Sequence, residues 1–579
     1  MKLDIRKRQA GILVPLFAIR TENDLGIGDI GGMRQMIDWC KANNFSVLQI
    51  LPINETLDDN SPYNSSSSIA LEPITLEITP QRIPGLIQAD LDELAPAELL
   101  KKLRSGSVRY ADVKILKYAL LFRAFERFEN TKHQDQNAFN SYQENEKSWL
   151  DDYTFFRALI DYHQRPDWQL WPDEHKTLPA AQAWLKALPE GKRNEFTKSR
   201  RFFAYIQWLL DRQWRELKTE AEAKGVYLMG DIPIGISPCS ADAWANRDIF
   251  DSTWSCGAPP EEQFRPDEFT AKWGQSWGFP LYRWDVMKKD NYAWWRKRVG
   301  NIVKYFHAFR IDHVLGFYRI YALPWQPRDN HLYVDKTREE VQKMIGKVPR
   351  FFPCDDDTPE HQAINQKSGE ELLKMILEAV GDGVVIGEDL GTVPPYVPSS
   401  LEKLGISGFR IPPFERTPEG EYKDAAKYPY LSLATLTTHD HPPIQATWES
   451  HWNNWQETES ERTKRTLNAE REHQADDARL ELYRMQRFAG LGDKTLIGQY
   501  EPAVREALIR SLMKANSWLA IVMITDLIGS TQRFNVPGSL SDGNWSARLP
   551  FTVKELAESA QFEKIRSLSK AVIYESDRA

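Results

Sequence analysis

Three short stretches carry the clearest fold signal in this chain: AFRIDH (308–313), VVIGED (384–389) and LATLTTHD (433–440). Each begins with apolar or β-branched residues, is too short for a helix, and has a carboxylate at or near its end. Runs of this kind are typical of buried parallel strands. In a closed (β/α)8 barrel, the carboxyl ends of the strands open into one mouth where functional groups collect. The stretches therefore predict acidic side chains that are distant in sequence but face one shared cavity.

An alternation of helix and strand supports the same fold. Trp295, Val299, Ile302 and Phe306 recur at helical spacing, and the predicted strand that ends at Asp312 follows them. Repeats of this unit indicate a parallel α/β fold. No GxGxxG or GxxxxGKS/T loop follows a predicted strand, so a nucleotide-binding sheet gains no support. Eight predicted strands favour an α/β (β/α)8 TIM barrel, and they span 11–16, 46–53, 226–233, 308–312, 384–388, 408–412, 433–440 and 519–526.

The uneven spacing of these strands predicts a single barrel unit, residues 1–579, with large helical and loop insertions between strands. Residues 80–200 are helical and charged in pattern, and we predict an inserted helical subdomain there. The range 236–284 is rich in Gly, Pro and Trp and is predicted to be a long loop insertion with a lid at 256–269. A charged helical insertion is predicted at 450–495, where a solvated helix pair is the simplest interpretation.

Composition narrows the classes of partner. The 579 residues carry a net charge of -8, with a pI near 5.9, which argues against a nucleic-acid or anionic-membrane surface. No apolar run approaches the roughly 20 residues that span a bilayer, and the charged N-terminus does not resemble a signal peptide. We therefore expect a cytoplasmic protein. The four cysteines lack CxxC spacing, so we expect reduced thiols and neither disulfides nor a zinc site.

Tryptophan is unusually frequent, with 20 residues among the 579. Most of these side chains are expected in the core. Indole faces also stack on sugar rings, because the C–H bonds of a pyranose meet the negative face of the aromatic system. The tryptophans therefore favour a carbohydrate-active enzyme without establishing one.

Arg310 and Asp312 are the first candidate pair for chemistry. They lie two residues apart on a predicted strand, so their side chains project to the same face. A guanidinium beside a carboxylate keeps it ionised, as a nucleophile requires, although a purely structural ion pair is an equal alternative. Glu388 follows an apolar strand, and such a setting raises a carboxyl pKa toward that of a general acid. Capping of the next turn is the alternative for Glu388.

Asp440 and Asp231 complete the set of predicted strand-end acids. Asp440 follows His439 and is a candidate for stabilising developing positive charge, with helix capping as the alternative. Glycoside cleavage requires one ionised and one protonated carboxyl flanking the bond. Four acids with Arg310 and His439 beside them therefore favour glycoside chemistry.

A metal site is the rival interpretation, because His313, His439, Asp440 and His441 include good ligand types. No HxH sequence follows the first predicted strand, and two prolines follow His441. The acids also outnumber well-placed imidazoles. We therefore expect no metal and no other cofactor.

Several motifs, taken together and in order, resemble the 4-α-glucanotransferases, also called amylomaltases or disproportionating enzymes (glycoside hydrolase family seventy-seven). Each motif is short, but the set covers most of the chain and is highly specific. The matching motifs are GILVP (11–15) with GIGD (26–29), LPI (51–53) with SPY (61–63), GDIPI (230–234), GQSWG (274–278) with PLYRW (280–284), RIDH (310–313), GEDLG (387–391), THD (438–440) and GNW (543–545).

The resemblance implies a retaining double displacement through a β-glucosyl-enzyme intermediate. Asp312 matches the family nucleophile, Glu388 the acid/base and Asp440 the transition-state stabiliser. Arg310 and His439 match residues that position the nucleophile and the donor sugar. The further substrate contacts implied by the matching motifs are Ser61, Tyr63, Asp231, Gln275, Trp277, His313 and Asn544.

The chain departs from the commonest family pattern in three places. Glu261 stands where many members carry Asp, and Phe279 stands where Asn is usual. His441 opens a His-Pro-Pro sequence in place of Asn-Asp-Thr. All three departures lie around predicted substrate loops, so the sequence leaves open the acceptor preference and the balance between transfer and hydrolysis.

The expected partners are α-1,4-glucans, namely maltooligosaccharides or fragments of starch or glycogen, with no nucleic acid and no membrane. The sequence predicts no particular oligomeric state. Three alternatives stay open: an amylase-like hydrolase with the same three carboxylates, a non-catalytic glucan-binding barrel, and a metal-dependent hydrolase.

Overall fold

Eight parallel strands form the central sheet of the computed structural model, which describes residues 2–131, 134–261, 266–464, 469–539 and 543–578. In chain order they are β1 (Gln9–Leu13), β2 (Val47–Gln49), β3 (Tyr227–Ile232), β4 (Ala308–Ile311), β5 (Val384–Gly387), β6 (Gly408–Arg410), β7 (Ser432–Ala434) and β8 (Leu519–Met523). The order across the sheet is β6-β7-β8-β1-β2-β3-β4-β5. All eight predicted strands are therefore present.

The two ends of this sheet meet. A parallel bridge joins Ile386 in β5 to Ser407, immediately before β6. The amide of Gly387 donates to the Ser407 carbonyl at 2.8 Å. Since every strand then has a neighbour on both sides, the sheet is a nearly closed barrel, and the predicted (β/α)8 fold is confirmed.

The strands are apolar because the barrel buries both of their faces. All four residues of β4 and all five of β8 are buried. Side chains that point inward fill the barrel, and those that point outward pack under the surrounding helices. This two-sided burial explains why these strands read as continuous apolar runs and not as alternating patterns.

All eight strands are shorter than predicted, and β2, predicted at 46–53, spans only Val47–Gln49. The predicted strand 433–440 ends at Ala434 in β7, and the hydroxyl of Thr435 donates to the carbonyl of Thr437 at 2.7 Å, which turns the chain out of the sheet. The predicted strand 519–526 ends at Met523, where a short helix begins. Polar side chains that hydrogen-bond to nearby backbone favour turns over strands. The apolar pattern of the sequence does not show this effect, so the predicted strand was too long.

Twenty-one α-helices in the described residues surround the barrel or fill its loops. Helix Ile30–Ala42 illustrates how they begin, because the side chain of Asp29 accepts from the amide of Gly32 at 3.0 Å. The helices are Ile30–Ala42, Gln88–Leu94, Ala97–Arg104, Tyr110–Asn130, Gln136–His163, Leu178–Ala187, Glu190–Ala223, Ala241–Ala245, Glu268–Trp273, Trp284–Met287, Ala293–Ile302, Leu315–Tyr318, Arg338–Ile345, Pro359–Val380, Tyr396–Leu404, Ile444–Lys464, Ala469–Phe488, Pro502–Met513, Ile524–Ile528, Val553–Glu558 and Glu563–Glu575.

The predicted insertions contain the following elements. The described part of the range 80–200 holds five complete helices and the start of Glu190–Ala223. A small aromatic core that includes Phe156, Trp171 and Trp244 lies beside the main core. In the range 450–495, helix Ile444–Lys464 packs on Ala469–Phe488, and residues 465–468 lie outside the described part. The division of the chain into a barrel and inserted subdomains stays a prediction.

The range 236–284, predicted to be a loop, contains two strands of a second sheet. This antiparallel sheet has the order Gln275–Tyr282, Phe250–Ala258, Ile320–Leu323, Arg350–Phe352. Because its strands come from three separate parts of the chain, local sequence signals did not reveal it. Residues 262–265 of the predicted lid lie outside the described residues.

Two searches of the described residues concern membranes and metals. None of the helices they form is both long and apolar enough to cross a bilayer. No cluster of three or more His, Cys, Asp or Glu side chains among them is arranged to hold a metal ion.

Candidate active site

A cavity of about 1640 Å³ opens where the barrel strands end. Its walls come from the segments that follow β2, β3, β4, β5, β7 and β8, as expected for the carboxyl-terminal face of a barrel. Nine of the residues singled out in the sequence line it: Ser61, Tyr63, Gln275, Trp277, Arg310, Asp312, His313, Glu388 and Asp440. Asp231 and His439 are buried behind this surface.

Arg310 in β4 links the acids of three neighbouring strands. Its Nη1 donates to Asp231 Oδ2 at 2.6 Å, and its Nη2 donates to Asp312 Oδ1 at 2.7 Å. Glu388 Oε2 lies 3.8 Å from the same Nη2. The registers of β3 with β4 and of β4 with β5 bring these residues side by side. The guanidinium therefore holds Asp312 and Glu388 around one nitrogen atom.

Glu388 is buried and accepts two backbone hydrogen bonds. The amide of His313 donates to its Oε2 at 2.8 Å, and the amide of Leu390 donates to its Oε1 at 3.2 Å. His313 has a φ of 47°, a left-handed conformation uncommon for His, and this turn aims its amide at Glu388. Burial raises the pKa of Glu388 to about 8; Arg310 opposes the rise, and the charge of Asp312 adds to it. The carboxyl is therefore predominantly protonated at neutral pH.

Asp440 has the opposite electrostatic setting. Asn535 Nδ2 donates to its Oδ1 at 2.7 Å, and His439 Nε2 lies 3.2 Å from its Oδ2. Burial favours the neutral acid, but His439, Asn535 and Arg310 together outweigh it and hold the pKa of Asp440 well below its usual range. Asp440 is therefore an anion over the whole range in which most enzymes work.

Tyr63 connects the two halves of the site. Its hydroxyl donates to Asp231 Oδ2 at 2.7 Å and lies 2.9 Å from His439 Nε2. The rings of Tyr63 and His439 stack, with centroids 5.3 Å apart. Burial, reinforced by the charge of Asp231, raises the pKa of Tyr63 well above its ordinary value, so the phenol stays neutral. Burial also raises the pKa of Asp231 to about 6, against the opposing effect of Arg310.

Trp277 and His313 form one wall of the cavity. Their rings meet edge to face at 5.0 Å, and the indole donates to Gln275 Oε1 at 3.1 Å. Burial lowers the pKa of His313 to about 4, so the imidazole is neutral at physiological pH. An indole that is partly exposed at a cavity wall presents an apolar face of the kind that stacks on sugars.

Asn544 contacts the protein backbone in this structure. Its Oδ1 accepts from the amide of Val536 at 3.0 Å, and its Nδ2 donates to the Ser539 carbonyl at 2.9 Å. Val536 and the two residues after it line the cavity. Asn544 thus shapes a loop of the mouth, while a direct contact with substrate stays a prediction.

Sequence reasoning missed several polar residues of the site. Asn535 and Arg533 follow β8, and Arg533 donates to the Asp440 carbonyl at 2.8 Å. Asp389 accepts from the amide of Phe409 at 2.6 Å and from Arg410 at 3.1 Å, which anchors the chain next to Glu388. Asn535 and Arg533 lie in an irregular loop without periodicity, so no local pattern marked them.

A family model described as 4-alpha-glucanotransferase matches residues 14–553. The chain belongs to this family. The 4-alpha-glucanotransferase of Chlamydia pneumoniae is 32% identical over 564 residues, which cover 95% of this chain and 93% of the relative. The 4-alpha-glucanotransferase of Thermus thermophilus is 29% identical over 535 residues, which cover 90% and 91% of the two chains. The family resemblance and the enzyme class predicted from the sequence are thereby confirmed.

Two solved structures of amylomaltases share the fold. The Corynebacterium glutamicum amylomaltase superposes with a TM-score of 0.75 at 22% identity, over 98% of this chain and 76% of that chain. The Streptococcus agalactiae amylomaltase, solved in complex with acarbose, superposes with a TM-score of 0.71 at 22% identity, over 99% and 100%. This chain therefore shares its overall fold with these two amylomaltases.

Proposed function

We propose that this enzyme moves α-1,4-linked glucan segments from a donor glucan to the 4-hydroxyl of an acceptor glucan or glucose, by a retaining double displacement. The observation that carries the proposal is the shared contact of Asp312 and Glu388 with Arg310 Nη2, at 2.7 and 3.8 Å. Because both oxygens contact this one nitrogen, the distance between Asp312 Oδ1 and Glu388 Oε2 cannot exceed about 6.5 Å. That value is the lower end of the roughly 6.5–9.5 Å that separates the carboxyls of inverting enzymes. Carboxyls of retaining enzymes are about 5 Å apart.

In the first step, the Asp312 carboxylate attacks the anomeric carbon of the donor while Glu388 gives its proton to the leaving glycosidic oxygen. The C–O bond of the donor breaks, its electron pair stays with the protonated leaving glucan, and a β-glucosyl ester forms on Asp312. Burial raises the pKa of Glu388, so its carboxyl carries this proton at neutral pH. Arg310 orients Asp312 for the attack and lies within 4 Å of Glu388.

In the second step, Glu388 is a carboxylate and acts as a base. It takes the proton of the acceptor 4-hydroxyl as that oxygen attacks the anomeric carbon, and the ester bond to Asp312 breaks. The acid/base is thereby restored to its protonated form. Two inversions at one carbon give net retention.

Asp440 stabilises the positive charge that develops on the sugar in both transition states. Its anionic state follows from its contacts with His439 and Asn535, which are formed before substrate arrives. A charge preorganised in this way needs no rearrangement during the reaction. Tyr63, stacked on His439, and Trp277 supply faces and hydroxyl contacts for the sugar rings.

The proposed substrates are maltooligosaccharides or fragments of starch or glycogen. The family match over residues 14–553 and the acarbose held by the Streptococcus agalactiae amylomaltase support glucan-like ligands for a site of this kind. The cavity, with a volume of about 1640 Å³, is larger than the ~300–1,000 Å³ typical of small-molecule sites. This size suits a chain of several sugar units.

Incubation of the purified protein with maltotriose tests the proposal. Transfer produces glucose together with a ladder of longer maltooligosaccharides, whereas an amylase-like hydrolase produces only shorter products. A glucan-binding protein without activity leaves maltotriose intact. Addition of a chelator is expected to leave the rate unchanged. Loss of activity in the presence of the chelator would support the metal-dependent alternative.

A further inference from the structure

Asp526 is a buried acid that the proposed mechanism does not use. It lies in the short helix Ile524–Ile528 that directly follows β8 and is 1% exposed. Thr437 Oγ1 donates to its Oδ2 at 2.5 Å, and the amide of Ile444 donates to its Oδ1 at 2.8 Å. Both oxygens of the carboxyl are therefore engaged by residues from another part of the chain.

The two donors stand at the two ends of one loop, residues 437–444. Thr437 lies just after β7, and Ile444 is the first residue of helix Ile444–Lys464. Between them lie Asp440, the proposed transition-state stabiliser, and His439, which contacts it. A single carboxyl group on the neighbouring strand's helix thus ties the start of the loop to its end.

The surroundings of Asp526 do not favour a role limited to stabilising the fold. Among the described residues, no Lys or Arg forms an ion pair with it, and burial raises its pKa to about 6. A buried carboxylate without a cation costs folding free energy, and an asparagine would avoid that cost. Both hydrogen bonds of the carboxyl go to the loop 437–444, and on these two contacts a positioning role rests.

Further hydrogen bonds inside the loop 437–444 connect its ends to Asp440. The hydroxyl of Thr438 lies 2.7 Å from His441 Nδ1 and accepts from the amide of Asp440 at 3.3 Å. The amide of His441 donates to the Thr438 carbonyl at 3.1 Å. The loop is thus a hydrogen-bonded turn whose two ends are held by Asp526.

We propose that Asp526 is a positioning residue for glucan transfer: by accepting hydrogen bonds from both Thr437 and Ile444, it sets the position of Asp440 against the substrate. This inference rests on the proposed function, because it assumes that Asp440 acts in the transition state. Asp526 itself does not touch the substrate. A displacement of Asp440 by even a fraction of an ångström weakens transition-state stabilisation more than ground-state binding.

The test compares Asp526→Ala with Asp526→Asn on maltotriose. The alanine variant loses both bonds, and we expect kcat to fall by about tenfold or more while KM changes by less than about threefold. The asparagine variant keeps an oxygen for the Ile444 amide and an amide group for Thr437, so it should recover most of the wild-type kcat. Thr437→Val removes only one bond and is expected to lie between the two.

Asp90→Ala is the matched control. Asp90 is also a buried acid that accepts from a backbone amide, that of Ile87 at 3.1 Å, and pairs with Arg127, but it lies in the helical region far along the chain from this loop. This variant should lower the melting temperature without changing kcat. A wild-type kcat in Asp526→Ala, or an Asp526→Asn variant as impaired as Asp526→Ala, would overturn the proposal.

Hydrogen exchange separates this proposal from the proposed function. In Asp526→Ala, amides of residues 437–444 should exchange faster than in the wild type, and this measurement needs no activity. A wild-type protein that does not disproportionate maltotriose refutes the proposed function alone. Unchanged exchange in the loop refutes the positioning role, whatever the wild-type activity. If Asp526→Ala does not fold, Thr437→Val carries both measurements.

Discussion

Glu388 and Asp440 both follow parallel barrel strands and both line the same cavity, yet their surroundings move their pKa values in opposite directions. Glu388 faces Asp312 and backbone amides, with Arg310 at 3.8 Å, and burial raises its pKa to about 8. Asp440 is also buried, but His439 and Asn535 contact it directly and lower its pKa. Burial acts the same way on both, so the partners within hydrogen-bond distance decide which carboxyl holds a proton.

Asp312→Asn should have the largest effect on kcat, because it removes the proposed nucleophile. Glu388 and Asp440 both act on the reaction of that group. We expect kcat on maltotriose to fall by at least about 10⁴-fold, since an amide cannot form the glucosyl ester. The Arg310 contact can persist, so the fold and glucan binding should be retained. Near-normal turnover in this variant, measured with calorimetric confirmation of glucan binding, would show that the nucleophile is misassigned.

Glu388→Gln removes the proton donor and keeps the shape of the side chain. We expect kcat on maltotriose to fall by about 10³-fold, within the usual range for a lost general acid. Fluoride leaves without a proton, so a burst of fluoride from α-maltosyl fluoride should be largely restored. Asp312→Asn is the control that this donor should not rescue. Equal losses on both donors would contradict the proton-donor role.

Asn535→Ala tests the contacts that keep Asp440 ionised. It removes the 2.7 Å hydrogen bond to Asp440 but leaves His439 in place. Hydrogen bonds to charged groups contribute about 1.5–3 kcal/mol, so we expect kcat to fall by about 10- to 100-fold, with a smaller change in KM. Asn516→Ala removes a comparable bond, to the Tyr428 carbonyl at 2.9 Å, away from the mouth. The control variant should keep wild-type kcat.

The smallest effect is expected for the pH dependence above neutrality, which reports on the protonation of Glu388. The first step needs protonated Glu388, so kcat/KM should fall by about tenfold per pH unit above pH 8. Asp440 is ionised throughout this range and adds no change there. A descending limb that begins near pH 5 would contradict the raised pKa of Glu388.

The same raised pKa predicts a change in stability. Folding stabilises the neutral form of Glu388, so this contribution is fully present below the ordinary carboxyl pKa of about 4.5 and is lost as pH rises through about 8. Thermal unfolding of wild type and Glu388→Gln at several pH values measures it. The glutamine variant should gain stability relative to wild type between about pH 5 and 9.

Much of this molecule follows from local sequence. Residues 519–523 are all apolar, and residues 308–311 are apolar except for Arg310, because both faces of a barrel strand are buried; that pattern predicts the strands with errors only at their ends. The acids that follow the strands, and the motifs that contain them, were also visible. The second sheet was not, because its strands Phe250–Ala258 and Ile320–Leu323 pair across about 70 residues of chain.

The sequence alone therefore predicts the barrel, its family and the three acids proposed for catalysis, Asp312, Glu388 and Asp440. The protonation of those acids arises only once the chain is folded, since it depends on burial and on partners such as Asn535, 95 residues from Asp440 along the chain. The link from Asp526 to the loop 437–444 is of the same kind. Electrostatic and hydrogen-bond energies depend on distances of a few ångströms, and those distances exist only between elements that packing has brought together.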